Sequence, residues 1–224
     1  MDKPERKNIT KAIVNWKEDA MPLAGAPAVK LLSLLVASPL EKRREGLFTN
    51  IGERLQALEQ QGKIDLDKLK EDDEFIDIVI QACQDAIKTS EVEKINCYRN
   101  VIENAALGET PGKAISQVYL NMLNRYTSWH IKILVLFDDP EQWFQERNRA
   151  APHLMMGSLS AMLETAFPEL KGKRDFYSLI WSDLKLDGMH GTSELQTVMS
   201  SGGIMSPRTT GFAKNFLAFI KDGE

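Results

Sequence analysis

Three histidines, two cysteines and a few serines and carboxylates are the groups of this 224-residue chain whose spacing could support chemistry. His130, His153 and His190 stand far apart, with no partner at i, i+3 or i, i+4 and no CxxC. A zinc site gathers three or four ligands by such spacing, so no metal set is read here. His130 adjoins Trp129 in an apolar run and reads as a core or capping histidine. Cys83 and Cys97 sit in apolar periodic segments. They read as reduced core thiols rather than as nucleophiles, which need an electropositive neighbourhood. GSLSA at 157–161 approaches the GxSxG nucleophile elbow, but the last glycine is missing and no apolar strand precedes it. Ser158 and Ser160 are read as a helix start.

The acidic run Asp65, Asp67, Glu71, Asp72, Asp73, Glu74, Asp77 fails as a calcium loop. Counted from Asp65, positions 6 and 12 are Lys70 and Ile76 instead of glycine and glutamate. Carboxylates at a helix start account for it through the helix dipole. GETPGK at 108–113 is too short for a phosphate loop, and Ala114 replaces the hydroxyl that would hold magnesium. No catalytic, cofactor or metal residue is assigned, and no small-molecule substrate is evident.

Two basic clusters remain. Lys42, Arg43 and Arg44 form a triplet suited to an anionic surface, and Lys173, Arg174 and Arg208 are candidates for nucleic-acid contact. The charge field favours neither. The chain carries a net −4, and residues 63–110 alone hold six basic against twelve acidic side chains, a net −6. Asp175, Asp183 and Asp187 beside Lys173 and Arg174 would repel phosphate.

Helical period positions these groups. Residues 5–19 carry a thin apolar stripe of Ile9, Ile13, Val14 and Trp16. MPLAGAPA reads as a linker, and residues 28–37 as a short buried helix between Pro27 and Pro39. That stretch is half a membrane span, which takes roughly 20 apolar residues. A membrane-surface effector using residues 23–40 is the third functional reading. A long helix is predicted from Leu40 to Gln61, closed at Gly62. Further helices run through Phe75–Ile87, through Ile95–Ala105 with a Ser90/Glu93 capping box, and through Ile115–Tyr126 after Pro111. Residues 127–139 are read as a buried helix capped by Thr127. Trp143 and Phe144 fall in a turn. Helices are then expected over Met155–Phe167 and Arg174–Leu186, the second carrying Phe176, Leu179, Ile180 and Leu184 and ending at Gly188. A small helix follows through Val198 and Met199. An extended piece lies at Ile204 and Met205, and a last helix is capped by Thr210.

The fold class predicted is mainly α. An N-terminal segment over 1–39 precedes a helical bundle over 40–126. A winged-helix-like module with at most a short β hairpin fills 127–224. The segments FIDIVIQACQDAIKTSEVEKINCYRNVIENAALG (75–108), TSWHIKILVLFDDP (127–140) and RTTGFAKNFLAFI (208–220) resemble uncharacterised bacterial helical proteins, including the abortive-infection alpha type. They cover a little over a quarter of the chain. The resemblance implies a helical protein with a winged-helix-like end and a role in phage defence, and brings no catalytic residues. The function expected is non-enzymatic contact with a protein partner or a second copy, helped by nine methionines and four tryptophans. Nucleic-acid binding by the C-terminal module is the alternative. The two cysteines and the absence of a secretory leader suggest a cytoplasmic location.

Overall fold

The computed structural model describes residues 27–152, 156–192 and 194–222, with side chains from Leu40 onward. The readings on residues 5–19, on the linker before Pro27 and on His153 fall outside them, as do the burial of residues 28–37 and the membrane surface read into residues 23–40, which rest on side chains before Leu40. The chain divides into two compact units, Met1–Gly46 and Leu47–Glu224.

The first helix, α1, spans Pro27–Gln60. The expected break at Pro39 is absent. A proline removes one backbone donor, a local cost, and cooperative helix formation on both sides carries the chain past it. Gly62, at φ 70°, then reverses the chain in the left-handed region that glycine enters without strain.

The acidic run explains the next two elements. The Asp65 carboxylate accepts from the backbone N–H groups of Asp67 and Lys68 and opens the short helix α2 (Leu66–Leu69). The Asp72 carboxylate accepts from Glu74 and Phe75 and opens α3 (Asp73–Ala86). α4 follows at Val92–Ala106 and α5 at Lys113–Arg125. Neither starts as the sequence suggests. Glu91, not Ser90, is the N-cap of α4. Its carboxylate reaches across to accept from the Ser128 N–H at 2.8 Å. Gly112 is the N-cap of α5, so Pro111 lies outside the helix.

Residues 127–139 are helical as expected: α6 spans Ser128–Asp138 with Thr127 as N-cap. The Asp139 carboxylate caps α7 (Pro140–Glu146), which replaces the expected turn at Trp143 and Phe144. Pro140 takes the first helical position, where its missing N–H costs nothing.

Beyond this point the extended and helical pieces trade places. Met156–Ser158 is strand β1, and α8 is shortened to Leu159–Ala166. After α9 (Arg174–Leu186), Val198–Ser200 is strand β2 rather than helix. Ser201–Met205 is the short helix α10 rather than an extended piece, and α11 runs Gly211–Ile220 from its Thr210 cap. The strands pair antiparallel, with Met156 opposite Ser200 and Ser158 opposite Val198. This ladder joins segments on either side of α8 and α9, so it is not a hairpin. Hydrogen-bond pairing between distant segments leaves no local period to read.

The protein is mainly helical with this one short two-stranded sheet among the described residues. A single hydrophobic cluster takes residues from Leu47 to Ile220. α3 packs on α4 and α5, α4 on α11, and α6 on α7, α8, α9 and α11. Tyr119 of α5 sits among Phe212, Phe216 and Phe219 of α11, with ring centroids 5.1, 5.4 and 5.7 Å away. The buried amide of Asn104 donates to the carbonyls of Ala218, Phe219 and Lys221. Those carbonyls end a helix and have few helical partners of their own.

Candidate functional site

Helix α9 carries apolar side chains on two faces. Tyr177, Ile180, Trp181 and Leu184, at steps of three, one and three, are buried toward the core. Phe176, Leu179 and Leu186 are 41%, 62% and 85% exposed. The sequence pattern marks Phe176 and Leu179 as apolar helix positions together with Ile180 and Leu184, without separating the faces. Two apolar stripes on one helix give the same period, and burial alone decides which faces inward. The same holds for α5, where Ile115 and Val118 face water while Tyr119, Leu120 and Leu123 are buried, and for Ile80 of α3.

The β ladder continues this exposed apolar character. Met156 and Val198 lie on one face of it, at 69% and 62% exposure, while Met199 on the other face packs against the core. Gln196, entering β2, donates to the Ser178 hydroxyl in the middle of α9 at 3.4 Å. That bond holds the exposed ladder to the exposed helix.

Of the expected nucleic-acid contacts, Lys173 and Arg174 stand exposed together at the start of α9. Their charge adds to the positive end of the helix dipole. Arg208 is not with them. Its guanidinium donates to the Gly203 carbonyl and lies 3.2 Å from Met199 Sδ, bracing the short α10 turn. Lys42, Arg43 and Arg44 are exposed on α1. Among the described residues, no helix is long and apolar enough to cross a membrane.

The acidic residues near α9 meet partners that the sequence did not signal. Asp187 accepts from Arg125 at 2.6 Å and from the Tyr126 hydroxyl at 2.7 Å. Tyr126 stacks on His130, with centroids 4.9 Å apart and planes 5° apart. His130 Nδ1 accepts from the Thr127 N–H at 3.2 Å and lies 2.9 Å from its hydroxyl, which completes a capping box. That leaves the proton on Nε2, 3.5 Å from Asp183 Oδ2. Burial holds the imidazole below its ordinary pKa, and Asp183 opposes this only in part. His130 therefore works as a neutral cap, the role read from its neighbours. His190 is buried against Trp181, with centroids 3.6 Å apart, and its Nε2 lies 2.9 Å from the Trp181 carbonyl.

The remaining reactive groups are enclosed in the fold. Burial pushes the Cys83 thiol up to about 11 and the Cys97 thiol up to about 12. Ser158, the last residue of β1, accepts from the Ala161 N–H and starts α8. GETPGK is the turn between α4 and α5. Among the described residues, no three His, Cys, Asp or Glu side chains are grouped as a metal site. Comparison with family models, with curated proteins and with solved structures returns no match.

Proposed function

We propose that this chain works by holding another protein chain, a partner or a second copy, and performs no chemistry of its own. One observation carries the reading: α9 keeps Leu179 and Leu186 in water on the face opposite its core contacts, with Phe176, 41% exposed, at the edge of that face against Trp129. Covering one such side chain is worth roughly 1.5–3 kcal/mol, so a row of them favours a partner. Met156 and Val198 on the β ladder are exposed as well. Phage defence by such contact is the biological setting that the sequence resemblance suggests.

The test is affinity capture from the native host, with light scattering of the purified chain. A specific partner or a defined oligomer, lost in Leu179→Glu, is the expected result. A strict monomer without a partner counts against the reading.

A second reading is nucleic-acid binding by a winged-helix-like end. Its support is the order β1, α8, α9, β2, with Lys173 and Arg174 exposed where α9 begins and Asp187 neutralised by Arg125. The exposed leucines of α9 argue against it, because a groove-reading helix presents polar side chains to bases. A DNA titration across salt separates the two. Binding with a steep salt slope that Arg174→Ala reduces would favour nucleic acid.

A further inference from the structure

Between α1 and α4 lies a polar cavity of about 230 Å³, wholly within the Leu47–Glu224 unit. Asn50 and Arg54 line it from α1, Asn96, Arg99 and Asn100 from α4, and Asp222 from the chain beyond α11. Positions three and four apart share a helix face, so each helix presents its polar groups together to this one space.

The two guanidinium groups are unequally served. Arg54 Nη1 donates to Asn100 Oδ1 at 3.2 Å and lies 3.0 Å from Glu103 Oε2, and its Nη2 donates to Asp222 Oδ1 at 3.1 Å. Arg99 donates from Nη1 to Asn96 Oδ1 at 3.0 Å, and its Nε is buried without an acceptor. Among the described residues no carboxylate pairs with Arg99, so its charge and most of its N–H donors are unspent. Asp222 is the one carboxylate lining the cavity among the described residues. Its side chain is 72% exposed, and an ion pair so open to water exchanges readily.

We propose that this cavity binds a phosphoryl oxyanion, free or carried on a small molecule, which displaces the Asp222 carboxylate from Arg54 and gives Arg99 the partner it lacks. A carboxylate has two oxygens and a single charge, enough for one guanidinium fork. A phosphoryl group has three acceptor oxygens and close to two charges at neutral pH, so it serves both arginines at once. The carboxamides of Asn50 and Asn96 bring further N–H donors to the same space. The volume falls below the roughly 300–1,000 Å³ that encloses a drug-sized ligand, which keeps the carrier small. The cavity shares no residue with the exposed stripe of α9, so either reading can fail without the other.

The test is isothermal titration calorimetry of the full chain with inorganic phosphate at about pH 7.5, with sodium chloride holding the ionic strength constant. Expected are saturable binding at a single site, acetate weaker by about tenfold or more, and a similar loss of phosphate affinity in Arg99→Gln. Arg99→Lys keeps the charge without the fork and should fall between. Asp222→Asn removes the competing carboxylate and should tighten binding several-fold. A thermal melt shows whether Arg99→Gln folds; should it not, the gain in Asp222→Asn decides alone. Glycerol phosphate binding more tightly than phosphate would assign the oxyanion to a small carrier, and equal or weaker binding would assign it to the free ion. Absence of saturation, acetate binding as well as phosphate, undiminished binding by a folded Arg99→Gln, or no gain in Asp222→Asn would each overturn the proposal.

Discussion

His130 on α6 points Nε2 at Asp183 on α9 across 3.5 Å, yet burial keeps the imidazole neutral. His190 is shifted in the same direction by the same cause. Both fold with a pKa below the ordinary 6.5, so the unfolded chain takes up more protons once pH falls toward that value. Stability is therefore full above 6.5 and declines as pH drops, until the folded histidines protonate as well. Thermal melts from about pH 7.5 to 5 should show a falling Tm. In His130→Gln the midpoint should be lower at neutral pH and less sensitive to acid, because the cap is lost along with the titration. A flat Tm in the parent would refute the assignment.

Asn104 is 1% exposed and its amide holds three carbonyls at the end of α11. Asn104→Ala would strand those acceptors, a penalty of about 1–3 kcal/mol. Urea unfolding should show the midpoint shifted down with an unchanged slope.

Cys83 and Cys97, raised to about 11 and 12, carry almost no thiolate at neutral pH. A thiol reagent should label neither at pH 8 in the folded protein and both in denaturant. Rapid native labelling would mean that α3 and α4 open more readily than their packing implies.

Leu186 is 85% exposed at the end of α9. Leu186→Lys should move stability by less than about 0.5 kcal/mol, while lowering any concentration-dependent association seen by light scattering. Leu163→Ala is the contrast: at 0% exposure it leaves a cavity and should cost about 2–5 kcal/mol.

Helices with one apolar face were legible in the sequence. Thr127, Ser158 and Thr210 cap as their residue types suggest, and Gly62 reverses the chain as expected. The short pieces at 156–158 and 198–205 were not. Val198–Ser200 becomes a strand through partners 40 to 44 residues earlier, and nothing within it records them. The candidate surface was half legible. The apolar residues of α9 were read, but spacing does not tell that Leu179 faces water while Ile180 and Leu184 face the core. The pairing of Asp187 with Arg125 joins residues 62 positions apart, and no local pattern carries it.

The bracing of α4 and α5 by α11 has a consequence for synthesis. Tyr119 and Asn104 complete their surroundings only with residues between 212 and 221. While the ribosome still holds α11, the emerging middle helices have apolar flanks that nothing yet covers. The nascent chain is then most exposed to chaperones and to aggregation, and docking of the late helix ends that interval.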